Sequence, residues 1–270
     1  MRKIVLRADP PPSPVPSPPD RSFVTALQKG LAVLTCFGRE TARLTQTDVA
    51  RLTGTTPASA RRSLHTLLAL GYLESDGKRY WVGPRALLFA RAYLASRPVP
   101  PLAQPFLDGL AERTRESASM GTWLDDDVVI IARSTARRSL STGLGIGSRL
   151  PSYCSALGRV LLASLPADEA RRRVERIERR ALTSRTLWRT RDVLERVEQC
   201  RATGWAGNDG ELELGVRSLA VPVRDREGRT VGAMSLAVQA ERMTMAELEV
   251  ALLPALRRAR DALASRLAGP

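Results

Sequence analysis

Residues 56–70 read TPASARRSLHTLLAL, a stretch with the signals of one amphipathic helix. Thr56 predicts the N-cap, and Pro57 suits the first helical position because its missing N–H would have no partner there. Gly71 predicts the C-terminal stop. The apolar side chains recur at the spacing of one helix face, which predicts a buried side. They are Ala60, Leu64, Leu67 and Leu68.

The other surface of this helix carries hydroxyls and cations, and no carboxylate occurs from residue 56 to residue 70. Its members are Ser59, Arg61, Arg62, Ser63, His65 and Thr66. A solvated helix usually carries Glu as well as Arg, whereas a surface without carboxylates suits phosphates. On its own, the helix is therefore either a DNA-reading helix or an ordinary basic surface helix.

The residues before this helix favour DNA reading. Residues 23–37 place apolar side chains at helical spacing, and Gly38 ends that helix. Thr45 and Asp48 match a capping box, which predicts the start of a short second helix. Residues 53–55, Thr-Gly-Thr, then supply a tight turn. This order of helix, short helix, turn and helix is that of a helix-turn-helix.

The residues after the helix predict a wing. Two strand candidates, residues 72–74 and 79–82, flank an Asp-Gly pair that is typical of a type I′ hairpin turn. Lys78 and Arg79 are expected at the tip of this hairpin, where they can reach a phosphate or the minor groove. The complete pattern is that of a winged helix-turn-helix.

The net charge is +14 over 270 residues and is unevenly distributed. Residues 1–97 hold 15 Lys and Arg against 6 Asp and Glu, a balance of +9. Residues 98–270 hold 27 against 22, a balance of +5. The first third therefore favours a polyanion partner. The alternative is a composition that is rich in arginine throughout the chain.

Several classes of protein are disfavoured by what the sequence lacks. No run of about 18 apolar residues is present, so no membrane span is expected, and the basic N-terminus lacks the apolar core of an export signal. The three cysteines are far apart and the chain has one histidine, so no zinc site is expected. The aspartates at 125–127 are interpreted as a solvated loop. We expect a cytoplasmic protein with reduced thiols and no cofactor.

Composition divides the chain into four segments. Seven prolines lie between positions 10 and 19, where neither helix nor sheet can form. The proline-rich residues 97–101 are expected to separate two domains. The four segments are a disordered tail at 1–20, the winged helix-turn-helix at 21–83, a linker helix at 84–97 and a second domain at 98–270.

The second domain alternates helix and strand patterns, which predicts an α+β fold with an antiparallel or mixed sheet. Residues 143–147 are rich in glycine, but position 148 is Ser instead of the third glycine of a dinucleotide-binding turn. The predicted strands are 118–124, 128–132, 218–224 and 230–238, and the predicted helices are 102–116, 155–163, 167–180, 190–203 and 244–267.

Four stretches resemble the IclR family of bacterial transcription regulators. They are ALQKGLAVL at 26–34, ARR at 60–62 with LGY at 70–72, SALGRVLLA at 155–163 after Leu150-Pro151, and ELELGVRSLAVPV at 211–223. The resemblance covers about residues 22–267. The subgroup that regulates aromatic-acid catabolism through the β-ketoadipate pathway is similar around residues 145–163 and 92–94.

The resemblance implies an N-terminal winged helix-turn-helix, a linker helix and a C-terminal GAF-like effector-binding domain. It also implies a homodimer joined through the DNA-binding part, with a dimer of dimers as the larger assembly. The implied partners are double-stranded DNA with a pseudo-palindromic operator and a small organic acid, aromatic or dicarboxylic. The effector positions of the family map onto Ser119, Met120, Thr122, Leu150, Tyr153, Ser155, Ala156, Asp209, Glu211, Ser218 and Ser235.

The carboxylate of the acid is expected at the helix that begins near Ser155, because a helix N-terminus offers N–H groups and a favourable dipole. Asp209 or Glu211 is expected to accept a hydrogen bond from a ligand hydroxyl or to orient its loop. Some family members carry an acid where this chain has Asn208.

Arginine on guanine is the commonest specific base contact, so Arg61 and Arg62 are the expected base readers. Phosphate contacts are expected from Ser59, Ser63 and the helix N-terminus. The DNA-binding candidates are Thr47, Thr56, Ser59, Arg61, Arg62, Ser63, His65, Lys78 and Arg79.

Two other classes of function fit the sequence less well than a regulator does. An enzyme is disfavoured because the only histidine, His65, lies inside the helix-turn-helix and the G-x-S-x-G elbow is absent. A non-specific nucleic-acid module would bind without sequence preference and would have no ligand cavity.

Overall fold

The computed structural model describes residues 22–38, 41–135 and 143–268. The chain divides into two compact units, Met1–Ser96 and Arg97–Pro270. The tail predicted at residues 1–20 lies outside the described residues. None of the helices in the described part of the chain is both long and apolar enough to cross a membrane.

Three helices and a short hairpin build the first unit. Their bounds are α1 Thr25–Thr35, α2 Gln46–Thr53, α3 Pro57–Ala69, β1 Leu73–Ser75 and β2 Tyr80–Val82. Val33, Val49, Leu64 and Leu73 are buried between these elements. A 3₁₀ turn at Pro84–Ala86 and the helix α4, Leu87–Ser96, follow the hairpin.

Local hydrogen bonds set the ends of α2 and α3. Thr45 and Asp48 complete the predicted capping box, because Asp48 N donates to Thr45 Oγ1 at 3.3 Å and Thr45 N donates to Asp48 Oδ2 at 3.0 Å. Thr56 Oγ1 accepts from a backbone N–H of the first turn of α3 at 3.3 Å. Gly54 and Gly71 follow the two helices with positive φ angles of 63° and 74°. The predicted caps and stops are therefore confirmed.

The buried face of α3 differs from the predicted one at its edges. Leu68 is 38% exposed, whereas Ser59 is only 7% exposed, so both predicted orientations are wrong. The reason is that α3 packs against both α1 and α2. The buried arc is therefore centred on Ala60 and Leu67 and extends to Ser59 instead of Leu68.

The type I′ turn predicted for the hairpin is also wrong. Gly77 has a positive φ of 91° but Asp76 does not, whereas a type I′ turn needs a positive φ at both central residues. The pairing of the strands stops at Ser75 and Tyr80, so the connection is a loop of four residues. The Asp76 carboxylate holds this loop by accepting from the N–H groups two and three residues further on, at 3.0 and 2.7 Å.

The second unit contains one six-stranded sheet in which all neighbouring strands are antiparallel. The strands are β3 Ser117–Leu124, β4 Asp127–Ser134, β5 Arg149–Pro151, β6 Ala206–Asp209, β7 Val216–Arg224 and β8 Thr230–Gln239. Their order across the sheet is β5-β4-β3-β8-β7-β6. β6 was not predicted, because its residues AGND include no β-branched or aromatic side chain.

Helices cover both faces of this sheet. Their bounds are α5 Val99–Thr114, α6 Ala156–Ala163, α7 Ala167–Arg176, α8 Thr190–Thr203 and α9 Met245–Leu267. α5 and α9 pack on one face, whereas α6 packs on the other and is covered by α7 and α8. The predicted α+β class with an N-terminal helix-turn-helix is confirmed. α5 begins before its predicted start at residue 102, since prolines fit the first turn of a helix.

The aspartates interpreted as a solvated loop are paired with arginines instead. Asp127 Oδ2 accepts from Arg149 Nη2 at 2.9 Å, and Asp126 accepts from Arg176. Burial raises the pKa of Asp127 and Arg149 opposes that shift. Across the described ranges, no group of three or more His, Cys, Asp and Glu side chains could hold a metal ion.

Candidate DNA interface and ligand cavity

The exposed side of α3 presents two adjacent cations. Arg61, Arg62 and His65 are exposed, and Ser63 is half-buried. The guanidinium groups of Arg61 and Arg62 have no ion pair or hydrogen bond within the described residues. They are therefore available to a partner, whereas the buried Ser59 does not share this surface.

The starts of α2 and α3 lie side by side. Gln46 Nε2 donates to Pro57 O at 3.3 Å, which joins the first turns of the two helices. Thr47 is exposed on α2, whereas the hydroxyl oxygen of Thr56 is already engaged as the N-cap of α3.

The loop between β1 and β2 exposes Lys78 and Arg79. Their backbone N–H groups bind the Asp76 carboxylate and hold its pKa below the usual range. The side chains of Lys78 and Arg79 are thus exposed on a loop whose backbone is held by hydrogen bonds to Asp76.

Sequence reasoning missed Arg43 at this wing. Its guanidinium carbon lies 4.3 Å from the centre of the Trp81 ring, and Trp81 Nε1 donates to Glu74 Oε2 at 2.7 Å. Leu44, the residue after Arg43, forms an antiparallel β-bridge with Tyr80 on β2, which places Arg43 next to the hairpin. The signal in the sequence was weak, because an isolated arginine before a helix cap has many possible neighbours.

A cavity of about 60 Å³ lies between the sheet and α6 in the second unit. Six of the eleven predicted effector residues line it: Ser119, Leu150, Ser155, Ala156, Ser218 and Ser235. The other lining residues, which were not predicted, are Ile130, Arg133, Leu144, Leu157, Asn208, Leu212, Glu213, Val216 and Ala237. The walls thus combine hydroxyls and apolar side chains with two charged groups.

Three predicted residues lie outside this lining because their side chains serve the core or the sheet. Met120 faces the core formed with α5 and α9, since consecutive residues of β3 point to opposite faces and Ser119 takes the cavity face. Thr122 Oγ1 donates to Val231 O at 3.5 Å. Tyr153 is buried and its hydroxyl donates to Arg180 O at 2.9 Å.

The two predicted acids are committed to arginines and are not among the lining residues. Asp209 pairs with Arg217 at 2.6 Å and with Arg185 at 2.9 Å. Glu211 binds Arg159 through both oxygens, each at 2.6 Å, in a pair whose members are only 6% and 1% exposed. Leu187 N also donates to Glu211 Oε2 at 3.1 Å. Glu211 therefore joins α6 to the segment before α8.

Arg133 is the main cavity residue that sequence reasoning missed. Its Nη1 donates to Ser119 Oγ at 2.6 Å, and the two residues are direct neighbours across β4 and β3. Burial lowers the pKa of the guanidinium from its ordinary value. The predicted strand stopped at residue 132, one position short of this arginine, so its face was not assigned.

The start of α6 is held close to the sheet. Ser155 Oγ accepts from Gly158 N at 3.1 Å and donates to Pro151 O at 2.7 Å, so its hydroxyl is engaged as the N-cap. A Cβ on Gly158 would lie 2.3 Å from the Cα of Ser152, so only glycine permits this approach. A ligand in the cavity would therefore meet the backbone N–H groups at the start of α6 rather than a free Ser155 hydroxyl.

Asn208 fixes the opposite wall. Its Nδ2 donates to Cys154 O, and its Oδ1 accepts from Glu211 N at 3.4 Å. An arginine, several polar groups and apolar walls around one small cavity suit an apolar molecule that carries a carboxylate.

A winged helix-turn-helix with exposed cations and an α+β unit with a small cavity of mixed polar and apolar lining together define a DNA-binding transcription regulator. The chain belongs to the IclR family of bacterial transcription regulators. Residues 26–77 match the IclR helix-turn-helix domain, and residues 91–265 match the C-terminal domain of the bacterial transcriptional regulator IclR.

Individual relatives match over most of the chain. The Pca regulon regulatory protein of Pseudomonas putida is 40% identical over 251 residues, which cover 93% of this chain and 86% of that protein. A transcriptional regulator of Rhodococcus sp. RHA1 has a similar crystal structure, with a TM-score of 0.79 and 39% identity over 91% of this chain and 99% of that chain.

A second similar structure contains a ligand. It is a double mutant of the inducer-binding domain of the Acinetobacter transcription factor PobR in complex with 3-hydroxybenzoic acid. Its TM-score is 0.59 at 30% identity, and the match covers 62% of this chain and 98% of that domain.

Proposed function

We propose that this regulator binds a pseudo-palindromic operator as a homodimer and that a small carboxylic acid in the cavity changes its operator affinity. The observation that carries the ligand assignment is the Arg133 guanidinium, which lines the cavity beside Ser119 and is the one cation among the described lining residues. Charge-assisted bonds from arginine to a carboxylate are among the strongest hydrogen bonds in proteins.

Among the described residues, the lining contains one carboxylate, that of Glu213, and one guanidinium, that of Arg133, so the charges of the lining balance before an anionic ligand enters. The carboxylates of Asp209 and Glu211, which would repel an acid, are each bound by arginine outside the lining. The first N–H groups of α6, beside Ser155 and Ala156, provide a second set of donors for the carboxylate. We assign Arg133 the main contact and the helix start the supporting one.

The size of the cavity links binding to a change in structure. Its volume of about 60 Å³ is smaller than the roughly 150 Å³ of an engineered cavity that holds benzene. A single-ring acid therefore requires the lining to move apart. The relative that binds 3-hydroxybenzoic acid supports a ligand of this size, and a small dicarboxylic acid is the other candidate.

Dimerisation is supported by apolar side chains that the first unit leaves exposed. α1 exposes Leu27 and Leu31, and α4 exposes Leu87, Leu88 and Phe89. Side chains of this size in contact with water on two helices favour a protein interface. A two-fold dimer places two copies of α3 on two half-sites, which is why we propose a pseudo-palindrome.

The test measures operator affinity by fluorescence anisotropy, with and without added acid. The acids are 3-hydroxybenzoate, 4-hydroxybenzoate, protocatechuate and β-ketoadipate. We expect at least one of them to change the dissociation constant about fivefold or more, the usual lower limit of allosteric coupling. Unchanged operator affinity with every acid would contradict ligand control, and equal affinity for unrelated DNA would contradict operator specificity.

A further inference from the structure

The positive charge of the second unit is concentrated in one segment. Residues 171–191 hold nine arginines and two glutamates, a balance of +7. Residues 98–270 hold 27 Lys and Arg against 22 Asp and Glu, so the remainder of that part of the chain holds 18 against 20. A general richness in arginine would spread the charge evenly and does not explain this segment.

Hydrogen bonds hold this segment in one shape. Arg179 Nε donates to Trp188 O at 3.0 Å and Arg179 Nη2 donates to Thr190 Oγ1 at 2.7 Å, which closes the loop between α7 and α8. Tyr153 OH donates to Arg180 O at 2.9 Å. Thr186 Oγ1 donates to Glu211 O at 2.6 Å. The loop is therefore anchored at both ends and in its middle.

Three arginines and one tryptophan lie next to the residues that the Arg179 hydrogen bonds join, and we call these four residues the basic face. The basic face consists of Arg180, Trp188, Arg189 and Arg191. All four are exposed, Trp188 by 45% of its surface. Arg189 lies 6.0 Å from the centre of the Trp188 ring. The three guanidinium groups form no ion pair within the described ranges.

We propose that the basic face is a docking site for an acidic protein segment that places an apolar side chain on Trp188. Arginine and tryptophan are the residue types that dominate the binding energy of protein interfaces. Duplex DNA would satisfy the cations, but it offers an exposed indole little apolar surface, since its bases are stacked and paired and the thymine methyl groups lie inside the major groove. A second copy of the chain is disfavoured because the rest of residues 98–270 has nearly balanced charge, and in its acidic run at 125–127 Asp126 and Asp127 are already paired with arginines of the same chain.

The probe for this site is a fluorescein-labelled peptide of repeated Glu-Glu-Leu, titrated with the full chain. The test variants are R180S/R191S and W188A. The control is R224S/R226S, which removes two exposed arginines near the β7–β8 turn. We expect R180S/R191S to weaken peptide binding about tenfold and the control less than about twofold. Replacing Leu by Ala in the peptide should weaken binding to the wild type but not to W188A.

Three results would overturn the proposal. One is equal weakening by R180S/R191S and by the control, which would mean attraction by net charge alone. Another is a loss of affinity for a non-operator DNA duplex that is specific to R180S/R191S, which would make the basic face a nucleic-acid surface. The third is self-association in sedimentation that R180S/R191S abolishes, which would assign the face to a second copy.

Discussion

Arg133 Nη1 lies 2.6 Å from Ser119 Oγ, across a direct pair of β4 and β3. Paired residues on neighbouring strands share one face of the sheet, so the hydroxyl orients the guanidinium along the cavity that both residues line. Arginine keeps its charge in proteins. Arg133 and Glu213 are the two charged residues among the described lining residues, and the proposed acid ligand depends on the Arg133 cation.

The exposed cations of α3 predict the specificity of DNA binding. We expect R62A to cost roughly 1–3 kcal/mol on the operator and little on random DNA, because a base-reading arginine acts only at its own base. Anisotropy titrations on both duplexes at one salt concentration check this. Equal losses on the two duplexes would reassign Arg62 to a phosphate contact.

The wing predicts a different signature. Lys78 and Arg79 should contact phosphates, so the double variant K78A/R79A should weaken binding to all sequences and reduce the slope of log affinity against log salt by about one to two units. R224S/R226S is the control for lost charge outside the wing. An unchanged slope in K78A/R79A would place the wing away from the DNA.

The buried pair of Arg159 and Glu211 predicts a stability effect. E211Q removes the charge that compensates a buried guanidinium, so we expect a loss of about 3–5 kcal/mol of unfolding free energy in urea. D209N removes a half-exposed partner of Arg217 and should cost less than about 1 kcal/mol. If E211Q were as stable as the wild type but no longer bound the acid, this prediction would be contradicted and Glu211 would be a ligand contact.

The close approach of α6 to the sheet predicts that Gly158 is irreplaceable. G158A would place a Cβ 2.3 Å from the backbone of Ser152, so we expect a loss of about 3 kcal/mol of stability. Gly30 lies on α1 with no atom within 4 Å of an added Cβ, so G30A should be neutral or stabilising by up to about 1 kcal/mol. Equal thermal midpoints for G158A and the wild type would contradict the described position of α6.

Local signals in the sequence were sufficient for the helix-turn-helix. The caps at Thr45 and Thr56 and the stops at Gly54 and Gly71 involve residues within a few positions of each other. The buried arc of α3 could not be placed to the residue, because it depends on how two other helices lie against it.

The cavity could be predicted only in part, because its residues come from distant strands. The face of β3 was ambiguous: Ser119 reaches the cavity, whereas Met120 points into the opposite core. Glu211 pairs with Arg159, which lies 52 positions away in the sequence, so no local pattern of residues predicts this ion pair. Arg133 was missed since the end of its strand is set by the pairing with β3.

Calorimetry of acid binding tests the central claim most directly. 3-Hydroxybenzoate, 4-hydroxybenzoate, protocatechuate and β-ketoadipate are titrated into the wild type, R133Q and the exposed control R224Q. We expect the wild type and R224Q to bind at least one acid, and R133Q to bind it about tenfold or more weakly, because a hydrogen bond to a charged group contributes about 1.5–3 kcal/mol. Binding of no acid by the wild type, or equally tight binding by R133Q, would contradict the claim.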